Sequence, residues 1–340
     1  MKYVAISLLL FAAPFNAAAA VTTTLVKAFS TPANVNRIER EMAVRFANQK
    51  YRNRQESVDP DLRELSDEEL SELHTIIFHT HTVYGHFDIV PVMRALQQQV
   101  QTNSKSVAAI VYKQLLITDP KTGEIHVQAP TLEALGVCPV KDSFTSEPAA
   151  ATCSGFLVRS DVILTASHCI ESPVLGLLRF VFDYLPDNRG GITLSAGSIF
   201  EADSVVDRLD SKIGPEWVLV KLKRDTGRTP LTPASTRVAK GDPVSVIGCP
   251  GGGTLRSADN ATVRDASPSG TFVANLDVFA GNSGSPVFDA SGKNVVGILT
   301  RGEGDWVDDL SKHCSAMKIC PDDQCLGETV TRISVVPIPK

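Results

Sequence analysis

Two short runs of this sequence carry residues suited to acyl transfer. The first, Leu164-Thr165-Ala166-Ser167-His168-Cys169, ends an apolar stretch; the second is Gly281-Asn282-Ser283-Gly284-Ser285-Pro286, followed by Val287-Phe288. A serine hydroxyl is a weak nucleophile until a neighbouring imidazole accepts its proton, so Ser283 as nucleophile needs His168 as general base. The charge that develops on the attacked carbonyl needs fixed donors, and backbone amides in a tight turn supply them without reorganisation. Gly281 permits such a turn, and the amides of Gly281 and Ser283 are the expected oxyanion donors. Losing one such donor costs ~3 kcal/mol of transition-state stabilisation. Singly, each run is ordinary: a histidine after a strand is commonly structural, and Gly-Asn-Ser-Gly-Ser makes a plausible loop. Their conjunction carries the inference.

Together the two runs resemble the His and Ser signatures of the trypsin/chymotrypsin-like serine peptidases. The run Gly-Asn-Ser-Gly-Ser-Pro-Val is most similar to the bacterial glutamyl-endopeptidase-like branch. The resemblance takes in Cys153-Ser154-Gly155-Phe156-Leu157-Val158 before the His run and Val296-Gly297-Ile298 after the Ser run, and spans roughly residues 107 to 325. It implies an all-β fold of two six-stranded antiparallel β-barrels with the catalytic groups in the crevice between them. It also implies a Cys153–Cys169 disulfide fastening the loop of His168.

The third catalytic group departs from the family pattern. Where an aspartate usually precedes an apolar strand, Glu216 precedes Trp217-Val218-Leu219-Val220-Lys221-Leu222. Its task is to accept the Nδ1 proton of His168, fixing the tautomer and stabilising the imidazolium. Glutamate has the same charge on a longer stem, and Glu replaces Asp in some hydrolase triads. Asp210 and Asp207 are the competing carboxylates. Asn282 stands where pancreatic-type relatives keep the aspartate that pairs with a newly cut N-terminus, so that switch is absent.

For substrate binding the resemblance points to Asp277, at the pocket-floor position, and to Thr300, Arg301 and Gly302 on the cleft strand. A carboxylate at Asp277 favours Lys or Arg, whereas Arg301 favours an acidic side chain. The two pull in opposite directions and leave specificity open.

The elements that must position these residues fall into three stretches. Lys2, the apolar run Tyr3–Pro14 and Ala17–Ala20 form a secretory signal peptide, residues 1–20, too short to span a bilayer;. Export makes the mature protein secreted, extracellular or periplasmic. Residues 21–106 are charged and cysteine-free. Ile38, Met42, Phe46 and Tyr51 recur at roughly helical spacing, Asp59-Pro60 suits a helix start, and Ser66-Asp67-Glu68-Glu69 has the form of a capping box;. This stretch is a mainly helical pro-segment, cut before Val107 and covering the cleft in cis, or else a permanent accessory segment. From residue 107 to 340 the texture is β-rich, with strands expected at Val107–Tyr112, Gly155–Val158, Val162–Thr165, Phe180–Leu185, Trp217–Leu222, Pro243–Ile247, Thr271–Leu276, Pro286–Asp289 and Val295–Leu299. Many short strands with turn signals between them indicate a barrel or sandwich.

Seven cysteines in an exported chain read first as disulfide partners, and the odd count leaves one over;. One of Cys314, Cys320 and Cys325 is expected to pair with Cys138 and the other two with each other, leaving Cys249 free. His74, His79, His81 and His86 cluster, but their spacing fits no zinc motif. The Gly-rich run after Cys249 lacks the Lys-Ser/Thr of a phosphate loop. A net charge of −5 offers no electrostatic reason for a nucleic-acid or anionic-membrane partner;. The expected partner is a protein or peptide substrate, and the chemistry requires no cofactor. The rival reading is a catalytically inactive, peptidase-like secreted binding module.

Overall fold

The computed structural model describes Leu62 and residues 82–339, without 141–142, 171, 212, 303 and 310–311. The signal-peptide run, the helical patterns between residues 36 and 77, and His74, His79 and His81 lie outside the described residues. The chain divides into two compact units, residues 1–76 and 77–340, and every described strand and helix belongs to the second. Among the described residues no helix is long and apolar enough to cross a membrane.

The second unit opens with β1 (Val83–Tyr84), β2 (Val90–Pro91) and helix α1 (Gln98–Ser104). β1 runs parallel to Ile319–Cys320, and β2 pairs antiparallel with Arg256 and Ser257. Val83, Ile89 and Val92 are buried in hydrophobic clusters shared with the later strands. Residues between Val83 and Val92 therefore pack with the strands that follow Val107. The run Ile89-Val90-Pro91-Val92-Met93 is too short to show a period, and the partners of its buried members lie far along the chain.

Seven strands then make the first sheet: β3 (Val107–Tyr112), β4 (Ala151–Arg159), β5 (Val162–Thr165), β6 (Leu178–Val181), β7 (Ile199–Phe200), β8 (Ala202–Leu209) and β9 (Trp217–Leu222). Their order is β7-β6-β3-β4-β5-β9-β8, antiparallel throughout. Along β3 the side chains alternate between two cores, Val107, Ala109 and Val111 into one, Ala108 and Ile110 into the other, as a period of two requires;. Both faces are covered, which is why the run is apolar without a break.

The second sheet is built from β10 (Pro243–Gly248), β11 (Arg256–Asp265), β12 (Thr271–Ala274), β13 (Pro286–Asp289), β14 (Asn294–Arg301) and β15 (Glu328–Arg332). The ladder runs β10-β11-β12-β15-β14-β13 and returns to β10, a closed six-stranded barrel. The first sheet departs from the expected closed form: it is a curled half-barrel. Its two edge strands, β7 and β8, are separated only by Glu201, so the edges are joined by the chain rather than by a shared ladder. The apolar cluster containing Val107, Leu164 and Leu219 also takes in Ile247, Phe288 and Ile298 from the barrel, and so joins the two halves.

Candidate active site

His168 sits in a single 3-10 turn, Ser167–Cys169, directly after β5. Its Nδ1 lies 3.0 Å from Glu216 Oε1, and its backbone N–H donates to Glu216 Oε2 at 3.3 Å. Glu216 is buried, immediately before β9, and β9 pairs with β5, so ladder register brings carboxylate and imidazole to the same end of the pair. Burial raises the Glu216 pKa, but the His168 hydrogen bond and the charges of His168 and Arg301 outweigh it and hold the carboxyl below its ordinary value;. The competing carboxylates are engaged elsewhere. Asp210 accepts from Ser167 Oγ and from the Arg208 guanidinium, and Asp207 accepts from the Arg208 N–H.

Ser283 lies in a tight turn entered through Gly281 (φ 94°) and left through Gly284 (φ 86°). A side chain at Gly281 would put its Cβ 2.4 Å from the Cys249 carbonyl oxygen; at Gly284, 2.1 Å from Thr165 Oγ1. Only glycine fits either position. The second contact matters more for the site, because it seats the serine turn directly on the residues that lead into His168. The Ser283 carbonyl accepts from Ser154 N at 2.8 Å, and Cys169 Sγ lies 3.6 Å from the same oxygen. Among the described residues the Gly281 and Ser283 N–H groups donate to no other group.

Three disulfides are present: Cys153–Cys169, Cys138–Cys314 and Cys320–Cys325, with Cys249 buried and free. Cys153, His168 and Cys169 cluster closely enough to suggest a metal site, but the two sulfurs are bonded to each other and offer no thiolate;.

Residues 153–298 match the family described as the trypsin-like peptidase domain. Over that stretch the chain matches a trypsin-like peptidase domain. Solved structures similar to it include a Glu endopeptidase (13% identity, TM-score 0.43, covering 74% of this chain and 93% of that one). Others are human heparin binding protein (15%, TM-score 0.44, 74% and 92%) and the VesB protease of Vibrio cholerae (15%, TM-score 0.43, 73% and 64%).

The residues expected to meet the substrate side chain have partners of their own. Asp277 is buried: its Oδ1 accepts from Tyr84 N at 2.6 Å and its Oδ2 from Asp88 N at 3.2 Å. Its carboxyl anchors the segment after β1 and is not an open pocket floor. Burial pushes the Asp277 pKa up to about 8 and that of Asp88 up to about 6, each also raised by a neighbouring negative charge;. Arg301, 1% exposed, places its guanidinium on the Gly214 carbonyl and 3.5 Å from Glu216 Oε1. It lies beside the carboxylate that contacts His168. Thr300 Oγ1 donates to the Thr329 carbonyl at 3.1 Å. Gly302 abuts the buried Glu328 carboxylate, where a Cβ would come within 1.6 Å of Oε2. The internal engagement of Asp277 and Arg301 has one cause. A charged side chain at the right sequence offset says nothing of which buried partner claims it, and these partners come from Tyr84–Asp88 and Gly214–Glu216.

Proposed function

We propose that this protein is a secreted serine endopeptidase that cleaves peptide bonds through an acyl-enzyme on Ser283. The reading rests chiefly on the 3.0 Å contact between His168 Nδ1 and Glu216 Oε1. That contact puts the proton on Nδ1 and leaves Nε2 as the acceptor a serine hydroxyl needs. His168 takes the Ser283 proton as Oγ attacks the carbonyl carbon, and Glu216 stabilises the imidazolium. The Gly281 and Ser283 N–H groups receive the oxyanion. On collapse His168 passes its proton to the leaving amine, and the ester remains on Ser283. Water, deprotonated by the same imidazole, then hydrolyses the ester and restores the serine. Three disulfides suit the oxidising compartment that an exported chain enters;.

With Asp277 and Arg301 engaged internally, neither is assigned a part in choosing the substrate side chain. The decisive experiment incubates the mature protein with a peptide library and a fluorophosphonate probe, with Ser283→Ala as control. Expected are internal cleavages and a single label, both lost in Ser283→Ala. Cleavage that survives in Ser283→Ala, or a protein that neither cleaves nor takes the probe, overturns the reading in favour of a non-catalytic module.

A further inference from the structure

We propose that Ser154 is a positioning residue for the oxyanion turn, an inference that rests on the peptidase reading. Ser154 is completely buried in β4, beside the disulfide-bonded Cys153. Its polar atoms are all engaged. The N–H donates to Ser283 O at 2.8 Å, the hydroxyl donates to Gly281 O at 2.8 Å and accepts from Cys249 N at 3.0 Å, and the carbonyl accepts from Thr165 Oγ1 at 2.6 Å.

The direction of an N–H is set by the plane of its peptide unit, and a peptide held on both sides cannot turn. The Ser283 N–H belongs to the unit joining Asn282 to Ser283. Ser154 holds the unit before it through the Gly281 carbonyl and the unit after it through the Ser283 carbonyl. Gly281, with a positive φ, has the backbone freedom to let that turn flip, so its carbonyl is the point where a restraint has most effect;. Asn282 brings no charge with which an ion pair could hold the turn. The remaining two bonds of Ser154 reach Thr165, three residues before His168, and Cys249, whose carbonyl crowds Gly281. One small side chain thereby references the oxyanion donors to the strand that carries the base. Such geometric support is worth much in catalysis, because the donors act only where charge develops.

The test uses the full, matured chain with Ser154→Ala. The expected result is a kcat lower by about ten- to a hundredfold with KM within about twofold, since a mis-aimed donor loses part of what a deleted one loses. Affinity for a peptide trifluoromethyl ketone, which forms an oxyanion on Ser283, should fall by the same factor, while affinity for the cleaved peptide product should not change. A purely structural Ser154 would lower the melting temperature and leave kcat and ketone affinity intact below it; that result overturns the proposal. Should Ser154→Ala not fold, Ser154→Gly, which removes the hydroxyl without adding atoms, is read by the same criteria. Wild-type protein without hydrolysis or Ser283 labelling would sink the peptidase reading itself. An active wild type beside an undiminished Ser154 variant sinks this inference alone.

Discussion

Glu216 stands, with a longer side chain, where the resemblance expects aspartate, and its neighbours hold it beside His168. Its two oxygens are divided between His168 Nδ1 and the His168 backbone N–H, and the Arg301 guanidinium lies beside the first. The buried carboxylate is therefore kept ionised, which is the state that can hold the imidazole tautomer. Glu216→Gln keeps the shape but offers an amide that can donate, so the ring can settle in the wrong tautomer. We expect kcat to fall by about 10³- to 10⁴-fold with little change in KM; steady-state kinetics on a fluorogenic peptide checks this. A loss below about tenfold would show that Glu216 does not orient the base. At this scale His168, Ser283, Gly281 and Glu216 were singled out from sequence because chemistry restricts the residue types that can do the proposed work. The roles of Ser154 and Arg301 were not. Ser154 left one faint trace, a hydroxyl in a strand whose other members are mostly apolar or small.

The element that matters most is the hairpin of β4 and β5 with the turn after it. β5 ends at Thr165, His168 comes in the next turn, and the Cys153–Cys169 bond ties that turn back to β4. The bond closes a loop of 16 residues, a length for which a disulfide stabilises by ~3 kcal/mol through the unfolded chain. Replacing both cysteines by alanine should cost about that much in denaturant unfolding. It should also lower kcat, because the His turn loses its tether while the serine turn keeps its own. Unchanged kcat in a destabilised variant would show that the ladder alone fixes His168. Strand identity was readable here: Val107–Tyr112, Val162–Thr165, Trp217–Leu222 and Pro286–Asp289 form as the residues suggest. The strand expected at Phe180–Leu185 instead occupies Leu178–Val181, because the run of large apolar residues continues past the ladder into a turn at Asp183, whose φ is 52°.

At the scale of the molecule, the stretch from Thr82 to Ser106 pairs and packs with the strands that follow it. A cut directly before Val107 would strip Val83, Ile89 and Val92 from their clusters and leave Asp277 without its two backbone donors. The facing carboxyls of Asp88 and Asp277 make this junction sensitive to pH. Asp259 adds negative charge on one side, and Glu328 takes a hydrogen bond from the Tyr84 hydroxyl on the other. Both aspartates hold their protons to a higher pH when folded, about 6 and about 8, than the ordinary 3.8 of the unfolded chain. The folded state thus binds more protons across that interval, and stability falls as pH rises from about 4 to about 8. Asp277→Asn keeps an acceptor for Tyr84 N and removes one of the two titrations. Melting temperatures at pH 5 and pH 8 should differ less in Asp277→Asn than in the wild type. An equal difference in both would refute the coupling.

By itself the sequence determined the strand-rich architecture and pointed to acyl transfer: apolar runs of β-branched residues have few alternatives, and residue types that can attack, accept and stabilise are few. Only the tertiary structure decided which carboxylate meets His168, how Asp277 and Arg301 are employed, and that the first sheet curls without a closing ladder. Those outcomes depend on contacts between residues far apart in the chain, where burial and hydrogen-bond competition choose among partners that look equivalent along the sequence.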